Sequence, residues 1–221
     1  MVKKKEEKIH LNNKLITHSS PQSLVSEQYK TLRTNLNFIS RNQDFRSIAV
    51  TSAAYAEGKS TTSANLAIVY ALEGKRLLLI DGDMRKPTLH EAFNMKNVKG
   101  LSSVLMQEES LKNAIYPTHI ENLDLLNCGS LQPNPPELLA SKFMSSLLKQ
   151  AMEMYDLVII DTPPMLAFAD SKILTSQCEG TLLVINSGVT EREDALLAKE
   201  AIVDSNSQLI GAVLNNLLFQ R

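Results

Sequence analysis

The stretch Ala53-Ala54-Tyr55-Ala56-Glu57-Gly58-Lys59-Ser60-Thr61 decides how this chain is read. It follows a short apolar run at Ser47–Thr51 and opens a helical pattern over Lys59–Leu72 that Gly74 closes. A strand, a loop ending in Gly-Lys-Ser and a helix form the context that a phosphate-binding loop requires. Successive backbone N–H groups from Ala56, Glu57, Gly58, Lys59, Ser60 and Thr61 would face a polyphosphate such as ATP at the helix N-terminus. Lys59 would reach the β- and γ-phosphates, and the Ser60 hydroxyl would become a Mg²⁺ ligand. Ala53 and Ala56 stand where glycine is common, and a left-handed backbone at alanine costs about 1–2 kcal/mol. That departure bears on affinity more than on the identity of the loop.

Outward from the loop, short apolar runs recur at Arg76–Ile80, Leu123–Leu126, Leu157–Ile160, Thr181–Ile185 and Leu209–Leu214. They are continuous rather than alternating, as strands buried on both faces are. Helical patterns lie between them at Pro136–Tyr155 and at Glu191–Ser205, the latter opened by a Thr190-x-x-Glu193 capping box. Alternating strands and helices predict an α/β fold, mainly a parallel sheet with helices on both faces. Ligands of such a sheet gather beyond the carboxyl ends of its strands.

Three of those ends carry chemistry. The second strand delivers Asp81 and Asp83, which can hold Mg²⁺, accept a proton, or cap a turn. The strand Leu157–Ile160 ends in Asp161, the acid that orients a metal-bound water beside a phosphate loop. Asn215 ends the last strand, where reading an adenine edge and ordinary turn chemistry are equally open.

The whole chain has 221 residues, with 23 Lys and Arg against 24 Asp and Glu for a net charge of −1. That balance lacks the positive excess of a nucleic-acid binder. Apolar runs fall far short of the roughly 18 residues of a membrane span. Residues 1–22 read as a flexible N-terminal arm and residues 23–221 as one domain. Within it, residues 23–40 carry Val25, Tyr29, Leu32, Leu36 and Ile39 at helical spacing, with Ser23 or Ser26 as the cap. Cys128 and Cys178 stand apart from each other and read as reduced, buried thiols of a cytoplasmic protein.

Four segments together resemble the cytoplasmic bacterial tyrosine kinases of exopolysaccharide and capsule synthesis: Gly58–Thr62, Leu79–Thr88, Pro133–Leu139 and Tyr155–Pro164. The likeness runs from about Ser23 to Asn215, and its Asp-x-Asp-x-Arg piece at Asp81–Arg85 is the most specific. It implies a P-loop NTPase of the MinD/ParA-like fold that transfers phosphate from ATP, with Mg²⁺, to tyrosine. Carried over by position, Lys59, Asp81, Asp83 and Asp161 are catalytic, and Ser60, Asp81 and Asp161 hold the metal. The implied partner is the cytoplasmic tail of a membrane activator or co-polymerase, which recruits the kinase to the inner face of the membrane. The family also packs into a ring through a Glu-x-x-Arg-x-x-Arg helix, matched here by Glu27, Lys30 and Arg33, with lysine in the middle place.

Two other functions compete. A nucleotide-gated scaffold would bind ATP and transfer nothing. A positioning ATPase of the MinD/ParA type would carry a signature lysine where this chain has Ala54. The family's tail bears a tyrosine cluster, whereas no tyrosine follows Tyr155 here. Weak or no autophosphorylation of the chain as given is therefore expected.

Overall fold

The computed structural model describes residues 14–40 and 45–217. Most of the expected arm, residues 1–13, and the last four residues lie outside the described residues. Helices are α1 (Ile16–Ser19), α2 (Leu24–Ser40), α3 (Lys59–Ala71), α4 (Leu89–Ala92), α5 (Leu101–Leu105), α6 (Leu111–Ala114), α7 (Pro135–Leu139), α8 (Lys142–Met154), α9 (Ala169–Gln177) and α10 (Arg192–Asp204). Strands are β1 (Ser47–Ser52), β2 (Leu77–Asp81), β3 (Ile115–Pro117), β4 (Leu123–Leu126), β5 (Leu157–Asp161), β6 (Gly180–Asn186) and β7 (Leu209–Asn215).

The strands form one sheet in the order β3-β4-β2-β5-β1-β6-β7. All neighbours are parallel except the edge pair β3 and β4. The continuous apolar runs are explained by what covers them. Ile48, Val50, Leu77, Leu79 and Ile159 face the side packed by α2 and α3. Ala49, Leu78, Ile80, Val158 and Ile160 face the side packed by α8 and α9. Period-two alternation survives in the structure, but both faces are dry, so neither requires polar residues.

The register puts the site together. Asp81 is paired with Asp161 across β2 and β5, while Ala49 is paired with Ile160 across β5 and β1. Three neighbouring strands thus release their loops at one edge. Gly82 is needed for the close approach there: its N–H donates to Asp161 O at 2.8 Å, and a Cβ would lie 2.8 Å from that same oxygen.

Several expectations are revised. The Pro136–Tyr155 pattern is two helices, because Ser141 adopts an extended backbone (φ −70°, ψ 155°) and stands as the N-cap residue of α8. Apolar spacing is similar on both sides of that break, so periodicity conceals it. Strand β3 was not expected; it is short, and Pro117 suits an edge where no ladder N–H is needed. The capping box at Thr190 does not form. Its hydroxyl instead accepts from Asn186 N at 2.8 Å and donates to Glu57. From Lys14 onward the expected arm packs on α3: the buried Asn65 amide donates to Lys14 O and accepts from both Thr17 N and Thr17 Oγ1. Leu15 and Thr17 are buried.

Helix α2 buries only the centre of its stripe, at Tyr29 and Leu36, while Val25 and Ile39 are exposed. Ser23 Oγ accepts from Ser26 N at its start. Lys30 pairs with Glu27 at 2.7 Å on the outer face. Arg33 points the other way, donating to Val69 O at 2.8 Å and lying 3.4 Å from Glu73. It fastens α2 to the end of α3. Arg33→Ala is expected to cost about 1–2 kcal/mol, since a carbonyl loses a charge-assisted donor. For a domain of this size that is a drop of roughly 2–8 °C in melting temperature, read by calorimetry. An unchanged melting temperature would mean that the contact contributes nothing.

Candidate active site

The loop after β1 is held from behind and from below. Glu57, whose backbone N–H is expected to face phosphate, turns its side chain inward, where it is buried. Its Oε2 accepts from Ala54 N at 3.0 Å and its Oε1 from the Thr190 hydroxyl. Asn215 donates through Nδ2 to Glu57 O at 2.9 Å, so the end of β7 braces the loop. Gly58 follows with φ +94°, and a Cβ there would run into the Asn215 amide. Ala56 takes φ +61°, the left-handed backbone that the sequence put at issue.

Helix α3 begins at Lys59, and its side chain is almost wholly buried. Lys59 Nζ meets Asp83 Oδ2 at 3.2 Å. Asp83 Oδ1 accepts from the N–H groups of Arg85 and Lys86. Asp81 Oδ1 accepts from Asp83 N, and Oδ2 accepts from Thr88 N and Leu89 N. Asp81 therefore shapes the turn, and Asp83 presents its free edge to the lysine. On β5, Asp161 Oδ1 meets Ser63 Oγ at 3.1 Å, and its buried Oδ2 accepts no hydrogen bond.

Three buried carboxylates thus surround one ammonium. Burial alone would pull the Lys59 pKa down, but the charges of Asp161 and Asp83 raise it overall. Burial pushes Asp161 up to about 6, against the lowering influence of Lys59 and of the Ser60 and Ser63 hydroxyls. Asp81 is held well above the ordinary carboxylate range by burial and then by the charge of Asp161.

A cavity of about 370 Å³ opens beside these groups, lined by Lys59, Ser60, Thr61 and Asp83 among others. Of the two aspartates on the β2 loop, only Asp83 lines it. Sequence reasoning missed a network that reaches this cavity through Tyr55. Arg85 grips Asp170 of α9 with two hydrogen bonds of 2.9 and 3.1 Å and lies 3.9 Å from the centre of the Phe168 ring. Phe168 in turn contacts Tyr55 of the loop edge-on. The arginine was visible in the Asp-x-Asp-x-Arg segment; nothing in the sequence linked it to Asp170. Lys14 also lines the cavity, from a segment expected to be free. The tyrosines divide by burial: Tyr29, Tyr70 and Tyr155 are buried, with Tyr70 pushed up to about 12 by burial.

Comparisons with known proteins agree with this geometry. Residues 45–191 match the family described as "AAA domain". The tyrosine-protein kinase YwqD of Bacillus subtilis (strain 168) is 47% identical over 215 residues, covering 97% of this chain and 91% of that protein. The chimerical protein CapA2B2 superposes with a TM-score of 0.89 at 38% identity, over 93% of this chain and 90% of that one. The kinase domain of the Escherichia coli tyrosine kinase ETK gives 0.90 at 31% identity, over 94% and 81%. Likeness on this scale spans nearly the whole chain, and the chain belongs to the bacterial tyrosine-protein kinases built on a P-loop domain.

Proposed function

We propose that this chain is a protein-tyrosine kinase of exopolysaccharide and capsule assembly that moves the γ-phosphoryl group of ATP to a tyrosine hydroxyl, with Mg²⁺. The observation that carries the cation is the charge imbalance at Lys59. Asp81, Asp83 and Asp161 are buried around a single buried ammonium, and Asp161 Oδ2 has no donor. A divalent cation fits that deficit. Ser60 Oγ and Asp161 Oδ2 would hold it, and it would neutralise charge on the phosphate oxygens. Both Asp81 oxygens already accept backbone N–H groups, so its part is to position the Asp83 loop.

The loop amides and Lys59 align the phosphates, with Lys59 leaving Asp83 for the γ end. Asp83, facing the cavity, takes the proton of the acceptor hydroxyl. Asn215 acts by bracing Glu57 and Gly58. The proposed partner is the cytoplasmic tail of a membrane activator or co-polymerase, which would bring the chain to the inner face of the membrane. Among the described residues no helix is long and apolar enough to cross a membrane. Self-association in a ring would use the outer face of α2, where Glu27, Lys30 and the exposed Leu24 lie, with Arg33 fixing the helix behind. No nucleic-acid role is assigned.

Labelled ATP, a tyrosine peptide and the activator tail test the reading together. The parent is expected to yield phosphotyrosine, and Lys59→Met to lower turnover by about 10²-fold or more while staying folded. Free phosphate alone from the parent would instead indicate a positioning ATPase, and neither product a nucleotide-gated scaffold.

A second expectation concerns pH. Asp161 titrates near 6 in the folded chain, above its ordinary value of 3.8. The folded state therefore keeps a proton that the unfolded carboxylate loses between about pH 4 and 6, so this group's stabilisation falls as pH rises through that window. Asp161→Asn is expected to be more stable than the parent at pH 7.5 by about 1–3 kcal/mol, with the difference closing toward pH 4. Mg²⁺ with nucleotide should raise the parent's melting temperature and the variant's much less. A pH-independent difference, or equal gains with Mg²⁺, would count against the metal assignment.

A further inference from the structure

Two cations beside Lys59 have no part in the transfer described above. Lys14 and Lys86 both line the cavity, on the side where Thr88, Leu89 and Ala92 also lie. Neither ammonium has a carboxylate within ion-pair distance among the described residues. Lys14 is held at its main chain: Asn65, buried in the helix that begins at Lys59, donates to Lys14 O and Thr61 O and accepts from Thr17 N and Thr17 Oγ1. The neighbouring Leu15 is buried as well. Lys86 is fixed through its own N–H, which donates to Asp83 Oδ1 at 2.9 Å. Two lysines fixed at their main chains, each with an ammonium that has no carboxylate partner, on one cavity wall make a site for an anion.

Strand order identifies which anion. The phosphate loop follows β1, with β5 and then β2 on one side and β6 and then β7 on the other. Lys59, Asp83 and Asp161 gather at the β5 and β2 side, so the γ end of the nucleotide points there. Lys86 follows β2 on the Asp83 loop, and Lys14 lines the cavity with Leu89 and Ala92 of α4, the helix after β2, so both lie on the side from which an acceptor would reach the γ end. We propose that Lys14 and Lys86 together bind a carboxylate side chain adjacent to the tyrosine of the acceptor polypeptide, and so select acidic acceptor sequences. The proposal rests on the kinase reading above and names the substrate class of that same site.

The test is binding, with transfer measured beside it. Two labelled peptides, one with a single tyrosine flanked by glutamates and one with glutamines in their place, are titrated by fluorescence anisotropy against the full chain with Mg²⁺ and a non-hydrolysable ATP analogue. The parent is expected to bind the glutamate peptide about five- to tenfold more tightly. Lys14→Ala and Lys86→Ala should each lose most of that preference, and Lys14→Glu should invert it, all with analogue affinity unchanged. Lys14→Arg should retain it. Equal binding of the two peptides by the parent, or no binding of either, would overturn the proposal. So would a Lys14→Glu variant that loses analogue affinity while keeping the peptide preference, because the lysine would then serve the nucleotide. Preferential binding without phosphotyrosine would sustain the anion site and refute the kinase reading instead.

Discussion

The crowding of three buried carboxylates around Lys59 is the constraint on which the rest depends. In a medium of low polarity, such a cluster cannot be fully ionised without a counter-charge. The chain answers in three ways. Asp81 is wrapped in backbone N–H groups, Asp83 is paired with the lysine, and Asp161 is left with one bare oxygen. Only the last leaves a charge for something else to meet. The parallel sheet exists, in this sense, to bring β2, β5 and β1 into register so that these four groups converge.

The loop itself is unusual in lacking most of its glycines. A backbone at φ +61° on Ala56 stores about 1–2 kcal/mol of strain that the surroundings must over-determine. They do so through side chains from distant parts of the chain. Glu57 is clamped between Ala54 and Thr190, and Asn215 holds the Glu57 carbonyl from behind. Pinning from outside stands in for conformational freedom within.

This division explains what was legible in the sequence. The strands, the loop and the terminal acids could be read because each is a local pattern: a buried apolar run and the residue that ends it. Cys128 and Cys178 are free and buried, as their spacing implied. What could not be read is non-local. The ladder of Arg85, Asp170 and Phe168 joins elements whose sequences carry no mutual signal, and Lys14 reaches the cavity only because Asn65, an unremarked polar residue in an apolar helix, holds it there. Thr190 misled for the same reason, since its hydroxyl had a better partner in Glu57 than the first turn of α10 offered. Arg33 matched a ring motif by spacing, yet its guanidinium lies against α3.

The brace at Asn215 also has a meaning in time. Glu57 and Asn215 are 158 positions apart in the chain. At a synthesis rate of about 5–20 residues per second, the ribosome takes roughly 8–30 s to travel from one to the other. During that interval the nascent chain already carries Lys59 and Gly58 but not the amide that steadies them. The loop is thus steadied only once β7 has been made, and an interrupted chain released before β7 lacks the brace that steadies it.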